Sequence, residues 1–113
     1  MSFKIYYLDD EPDLRELMSD MLSSNEISVE TFHDFPSLIS RCEIDKPDLF
    51  FLDYRLPGIT GDDIAWKLDP GIPKVLITGD ISLQTTYKFY AVLKKTVSRK
   101  DLLSLIETMR KMN

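Results

Sequence analysis

Four stretches of this chain are apolar along most of their length and lack the alternation of a strand with one face in water. They read FKIYYL (3–8), DLFFL (48–52), PKVLIT (73–78) and KFYAVLK (88–94). Such runs are typical of strands buried on both faces, as in parallel sheets that are covered by helices. A shorter run that alternates, SVETF (28–32), predicts an edge strand.

Helical patterns separate most of these runs, and one closes the chain. Pro12, with Asp10 or Glu11 as its cap, begins the first helix, and Pro36 begins the second. Asp69-Pro70-Gly71 ends the third, and the capping pair Ser98 and Asp101 begins the last. The crossover between Thr78 and Lys88 has only nine residues, which allows at most about two turns of helix or an irregular path. Strands that alternate with helices predict one α/β domain over residues 1–113 with a parallel sheet.

Composition narrows the classes of function. The net charge of −5 argues against direct binding of nucleic acid, which usually requires a basic face. No apolar run approaches the ~20 residues of a membrane span, so we expect no membrane insertion. We also do not expect the short segment before Asp9 to be a signal peptide. The single cysteine, Cys42, excludes an intramolecular disulfide and fits a cytoplasmic location.

Three aspartates directly follow two of the buried runs. They are Asp9 and Asp10 after the first run and Asp53 after the run at 48–52. Ligands bind at the carboxyl ends of strands in open α/β sheets, and carboxylates packed together require a cation. An all-oxygen set suits Mg²⁺. The first pair alone could equally cap a helix, but with Asp53 the pattern favours magnesium-dependent phosphoryl chemistry on a carboxylate.

Four motifs give the chain a resemblance to the receiver domain of two-component response regulators. They are LDDEPDLREL, LDYRLPGITG, VLITGD and VLKKTVSRKDLL, and together they span almost the whole chain. The resemblance implies a flavodoxin-like, doubly wound (βα)5 domain with a five-stranded parallel sheet in the order 2-1-3-4-5, its fourth helix short or irregular here. It also implies a sensor histidine kinase or phosphotransfer protein as the phosphoryl donor, and a downstream protein that the sequence does not name.

The resemblance also implies a role for each site residue. Asp53 is the implied phosphoacceptor, Thr78 the hydrogen-bond donor to the phosphoryl group and Lys95 its electrostatic partner. Lys95 is preferred over Lys94 because the following residues then align with the family pattern. The implied metal ligands are Asp9, Asp10, Asp53 and the backbone carbonyl of Arg55, for Mg²⁺ with Mn²⁺ as a possible substitute. Such a domain is not a separate enzyme, although it assists its own phosphorylation and dephosphorylation.

Three departures from the family keep other readings open. Val92 stands in place of the switch aromatic, and the fourth crossover is short. Thr96 replaces the proline that often follows the lysine in a cis peptide. Since a non-proline cis bond costs ~2.5–4 kcal/mol, Thr96 suggests a different path for the Lys95 loop. The main alternative is therefore a receiver-like protein-interaction module with a non-standard or inert switch. A phosphatase with an aspartyl nucleophile is disfavoured because Arg55 occupies the place of its second acid.

Overall fold

The computed structural model describes residues 2–80 and 82–112. Its elements in chain order are β1 (Phe3–Leu8), α1 (Pro12–Leu22), β2 (Ile27–Phe32), α2 (Phe35–Ile44), β3 (Leu49–Asp53), β4 (Arg55–Leu56), β5 (Ile59–Thr60), α3 (Gly61–Lys67), β6 (Lys74–Thr78), β7 (Ala91–Lys94) and α4 (Arg99–Met112). None of the helices among these residues is long and apolar enough to cross a membrane.

Five strands form one parallel sheet in the order β2-β1-β3-β6-β7. Counting the strands of this sheet alone, the order is 2-1-3-4-5, so the flavodoxin-like prediction is confirmed. The short strands β4 and β5 pair with each other in an antiparallel hairpin after β3. Because β1 and β3 are direct neighbours, their carboxyl ends lie side by side at one edge of the sheet.

Two apolar clusters cover the two faces of the sheet. Successive side chains of a strand point to opposite faces, so the adjacent residues Tyr6 and Tyr7 of β1 enter different clusters. Tyr7 packs in the cluster that includes Met18 of α1 and Met109 of α4. Tyr6 packs with residues of α2 and α3, such as Leu38.

The helix starts follow local capping chemistry. Pro12 begins α1 with Glu11 at the N-cap position, as one of the two sequence alternatives has it. The hydroxyl of Ser98 accepts a hydrogen bond from the Asp101 backbone N–H at 3.1 Å, as the capping pattern predicts. At the start of α3, Thr60 and Asp63 form a reciprocal capping box that the sequence analysis did not identify.

The crossover between β6 and β7 is irregular. No helix occurs in residues 79–80 and 82–90, the part of this crossover that the structure describes, so the domain has four helices in its described residues instead of five. The predicted strand at 88–94 was too long, because β7 begins only at Ala91. The rings of Tyr87 and Phe89 lie 5.1 Å apart and pack on the cluster with α2 and α3, and the backbone first bonds to β6 at Tyr90.

Side chains from α3 and β6 hold this crossover in place. The Thr86 backbone N–H donates to Asp62 Oδ2 at 2.7 Å, and Trp66 Nε1 donates to the Thr86 hydroxyl at 3.1 Å. Lys74, which is only 1% exposed, donates from Nζ to the Tyr87 hydroxyl at 3.0 Å. These contacts replace the packing that a crossover helix would provide.

Candidate functional site

The three predicted aspartates meet at the carboxyl edge of the sheet. Asp53 ends β3, Asp9 follows β1 directly, and Asp10 is the next residue. One carboxylate oxygen from each lies within 4.8 Å of the other two. Asp9 and Asp53 are buried, whereas Asp10 is exposed at the mouth of the cluster. The arrangement could therefore hold a metal ion that enters from the side of Asp10.

Lys95 lies between the two buried carboxylates. Its Nζ is 3.2 Å from Asp53 Oδ1 and 3.4 Å from Asp9 Oδ2. The Lys95 backbone N–H donates to the Thr78 carbonyl at 2.7 Å, so the end of β6 positions the start of this loop, while Lys94 is exposed. The Lys95–Thr96 peptide bond is cis although Thr96 is not a proline.

Negative charge exceeds positive charge in this cluster. Burial raises the pKa of Asp53, and the charge of Asp9 raises it further. Lys95 offsets only part of this rise, so the pKa is about 6. Burial lowers the pKa of Lys95, but the carboxylates of Asp53 and Asp9 outweigh this effect and hold it above its usual value. Three carboxylates facing one ammonium group, with oxygen as the only ligand atom, fit a hard divalent cation.

Thr78 ends β6 beside the cluster. It is buried, and its hydroxyl oxygen accepts a hydrogen bond from the Asp80 backbone N–H at 3.2 Å. Thr78 lines an open cavity of about 410 Å³ together with Asp53 and Lys95. Arg55 also lines this cavity, although the ligand role of its backbone carbonyl stays a prediction. The structure thus brings the predicted phosphoacceptor, threonine and lysine to one cavity.

Comparison with known families agrees with this geometry. A family model described as the response regulator receiver domain matches residues 5–107. The chain belongs to this family.

Individual relatives of this receiver domain are longer proteins. The chain is 35% identical over 77 residues to the probable transcriptional regulatory protein TcrX of Mycobacterium tuberculosis, covering 66% of this chain and 33% of the relative. It is 31% identical over 90 residues to the nitrogen assimilation regulatory protein NtrX of Azorhizobium caulinodans, covering 75% of this chain and 20% of the relative. The receiver domain therefore matches at most about a third of each of these relatives.

Solved structures show the same fold. The receiver domain superposes on a CheY-like receiver domain from Methanospirillum hungatei with a TM-score of 0.85 and 24% identity, covering 100% of both chains. NtrX from Brucella abortus gives a TM-score of 0.87 at 25% identity, covering 99% of this chain and 28% of that one. These likenesses support the flavodoxin-like fold that the sequence predicts.

Gly61 allows the close packing of α3 against the Asp53 strand end. A Cβ atom at this position would lie 2.7 Å from the Asp53 carbonyl oxygen and 2.9 Å from Leu76 Cδ1. The Gly61 backbone N–H also donates to the Tyr54 carbonyl at 2.8 Å. Gly61 is the last residue of the LDYRLPGITG motif that carries the family resemblance. The short distances to a Cβ atom give a steric reason for glycine at this position.

Tyr7 of this receiver domain is a site residue that the sequence analysis missed. Its hydroxyl donates a hydrogen bond to Asp9 Oδ2, and burial together with that bond raises the pKa of Tyr7 above its usual value. The spacing of the two residues could have indicated this contact. Tyr7 lies two residues before Asp9, so both side chains leave the chain on the same side.

Proposed function

We propose that this chain is a phosphorylatable receiver, which accepts a phosphoryl group on Asp53 in a Mg²⁺-dependent reaction and signals by a conformational change. The observation that carries the proposal is the contact of Lys95 with the buried carboxylates of Asp53 and Asp9, beside Asp10 at the sheet edge. The proposed donor is a sensor histidine kinase or a phosphotransfer protein, and the proposed receiver of the signal is a downstream protein.

The chemistry requires positioning and charge more than covalent help. One carboxylate oxygen of Asp53 bonds to phosphorus, and the bond from phosphorus to the donor nitrogen breaks with its electron pair leaving on that nitrogen. The Lys95 ammonium, 3.2 Å from Asp53 Oδ1, faces the charge on the phosphoryl oxygens. The Thr78 hydroxyl accepts from Asp80, which leaves its own hydrogen free for donation to a phosphoryl oxygen.

The proposed cation ligands are the aspartate cluster and one backbone group. They are Asp9, Asp10, Asp53 and the carbonyl of Arg55. A bound Mg²⁺ or Mn²⁺ would offset the charge of the carboxylates and of the phosphoryl oxygens. We further propose that the same site assists hydrolysis of the phosphoaspartate, so that the signal decays without a separate enzyme.

A second candidate function is a receiver-like interaction module whose switch is inert. Two features of the switch region favour this second function. Val92, at the place of the family's switch aromatic, is 45% exposed, and the described part of the β6–β7 crossover lacks a helix. Such a module would bind partners whether or not Asp53 carries phosphate.

Intact mass spectrometry after treatment with acetyl phosphate and Mg²⁺ tests the proposal. We expect the wild-type chain to gain one phosphoryl group and Asp53→Asn to gain none. Lys95→Ala should slow the gain, whereas Lys94→Ala, a change of the same size at the exposed neighbour, should leave it unchanged. A folded wild-type chain that gains no phosphoryl group would support the inert module instead.

The cation site has a test that does not depend on phosphorylation. A ligand that binds only the folded state raises stability by about 2.7 kcal/mol at a hundredfold excess over its Kd, so Mg²⁺ should raise the melting temperature. Asp10→Asn should abolish that rise. Asp13→Asn, at an exposed residue in the first turn of α1, should retain it. An unchanged rise in Asp10→Asn would remove Asp10 from the site.

A further inference from the structure

Two tyrosines next to each other on β1 have opposite surroundings. Tyr6 and Tyr7 are each only 1% exposed, and they pack on opposite faces of the sheet. The Tyr6 hydroxyl donates to the Asp45 carbonyl at 2.7 Å. The Tyr7 hydroxyl instead donates to Asp9 Oδ2 within the acidic cluster. Only the second of these two hydroxyls therefore contacts a carboxylate of the candidate metal site.

Three donors determine how the Asp9 carboxylate lies. The backbone N–H of Glu11 donates to Oδ1 at 3.0 Å, while Oδ2 contacts both the Tyr7 hydroxyl and Lys95 Nζ. Asp9 is 0% exposed, so water does not replace a lost donor easily. The Lys95 side chain is partly exposed and has the flexible four-carbon stem of a lysine, whereas the Tyr7 ring is packed in the core. Tyr7 is thus the rigid side-chain donor to Oδ2.

We infer that Tyr7 is a positioning residue for the cation site, whose hydroxyl fixes the rotation of the Asp9 carboxylate and so sets how tightly the aspartate cluster holds a divalent cation. The inference rests on the cation site of the proposed function. It assigns Tyr7 no contact with the phosphoryl group and no part in bond formation.

The physical reason is competition for Asp9. The terminal torsion of an aspartate is broad and weakly restrained, so the carboxylate can turn once the Tyr7 hydroxyl is removed. Lys95, already 3.4 Å from Oδ2, is then free to form a closer ion pair with it. A carboxylate held by an ammonium group is less available to a cation. Loss of a hydrogen-bond partner behind a metal ligand typically weakens metal affinity by about 10- to 100-fold.

The test compares Tyr7→Phe with Tyr6→Phe. Each variant loses one buried hydroxyl and one hydrogen bond from the same strand, so the two changes are matched except at the acidic cluster. Mn²⁺ binding is measured from the electron paramagnetic resonance signal of the free ion, with Mg²⁺ as competitor. We expect the Kd to rise about 10-fold or more in Tyr7→Phe and to stay unchanged in Tyr6→Phe. Melting curves without metal establish that both variants are folded.

A Kd in folded Tyr7→Phe that equals the wild-type value would overturn the inference. Nuclear magnetic resonance of the wild-type chain provides a second measurement that needs no variant to fold. Saturation with Mg²⁺ should shift the hydroxyl proton of Tyr7 and leave that of Tyr6 in place, and an unshifted Tyr7 proton would also overturn the inference.

The results separate this inference from the proposed function. Wild-type binding of Mn²⁺ without phosphorylation of Asp53 would overturn the proposed function, while the loss of affinity in Tyr7→Phe would still support the role of Tyr7. Phosphorylation of Asp53 combined with an unchanged Kd in Tyr7→Phe would overturn only the role of Tyr7. A wild-type chain that binds neither ion would overturn both.

Discussion

At the scale of single residues, Asp53 lies in surroundings that disfavour its charge. It is buried and shares its site with the carboxylate of Asp9, and these two effects bring its pKa to about 6 despite the nearby Lys95. An unfolded aspartate has a pKa of about 3.9. Between these two values Asp53 therefore binds its proton more strongly in the folded chain than in the unfolded chain.

This difference predicts how stability depends on pH. Without metal, the contribution of Asp53 to the free energy of unfolding should fall as the pH rises from about 4 to about 6, because the folded state then loses a proton that favours it. Asp53→Asn should flatten this dependence and raise the free energy of unfolding at pH 7 by about 1–3 kcal/mol. Urea unfolding across this pH range, with a chelator present, measures both effects.

Asp20→Asn, on the exposed side of α1, serves as the matched control and should keep the wild-type dependence. A slope that persists unchanged in Asp53→Asn would mean that another group carries it.

Gly61 gives a second prediction at this scale. Gly61→Ala would place a methyl group 2.7 Å from the Asp53 carbonyl oxygen, so the backbone must shift, at a cost of about 1–3 kcal/mol. Gly79→Ala adds the same methyl group where no heavy atom lies within 4 Å, and it should change stability by no more than about 1 kcal/mol. Thermal unfolding of the two variants compares these effects, and equal costs would contradict the steric explanation.

At the scale of elements, the β6–β7 crossover is held by specific side chains and not by helical hydrogen bonds. The hydroxyl of Tyr87 accepts from the buried Lys74, and its ring packs edge-on against Trp66 with a centroid distance of 5.1 Å. Asp62 accepts the Thr86 amide hydrogen bond. A short crossover can therefore be ordered even though it contains few residues that favour a helix.

Removal of one of these contacts should lower stability. Tyr87→Phe deprives the Lys74 ammonium of one acceptor, and a hydrogen bond to a charged group contributes about 1.5–3 kcal/mol. Tyr90→Phe removes an exposed hydroxyl that, among the described residues, donates only to Met112 Sδ at 3.4 Å, and it should cost no more than about 0.5 kcal/mol. Urea unfolding measures both, and equal losses would show that the Lys74 contact does not stabilise the crossover.

At the scale of the whole molecule, the site and the crossover are joined at the end of β6. Thr78 lines the site cavity, and its hydroxyl accepts from the Asp80 amide, where the crossover begins. A movement of Thr78 toward a phosphoryl group would alter this hydrogen bond and so act on Asp80. No side-chain hydrogen bond of the described residues joins Thr78 to Val92 or to α4, although the Thr78 carbonyl accepts from the Lys95 backbone N–H just after β7. A switch requires an element whose two states the phosphate distinguishes.

Hydrogen exchange with and without beryllofluoride, a mimic of the phosphoryl group, tests this link. We expect protection to change at Asp80 and along 82–90, and to change little at Val92 and in α4. Protection confined to the site cavity would favour the inert module. A large change at Val92 and along α4 would show that the usual family mechanism operates here in spite of the missing ring.

The apolar runs and the residues that end them predicted a parallel sheet and the meeting of the three aspartates, because both depend on local pattern. The strand order came instead from the resemblance to the receiver family. The partners of Tyr7 and Lys74 could not be predicted in this way. A tyrosine within an apolar run indicates core, and only the fold shows that its hydroxyl reaches Asp9. Lys74 likewise looks like a solvated strand start, yet its acceptors include Tyr87, which is 13 residues away in the chain.

Because Lys74 is buried, the rate at which its amine is chemically modified reports opening of the folded chain. An amine-reactive reagent reaches a lysine that is 1% exposed only after the chain opens around it, whereas Lys46, with a side chain that is 60% exposed, is open to reaction in the folded state. The rate at which a reagent modifies Lys74, read by peptide mass spectrometry against Lys46, thus reports how often the β6 end of the core opens. The same measurement is possible inside cells, where a melting curve is not.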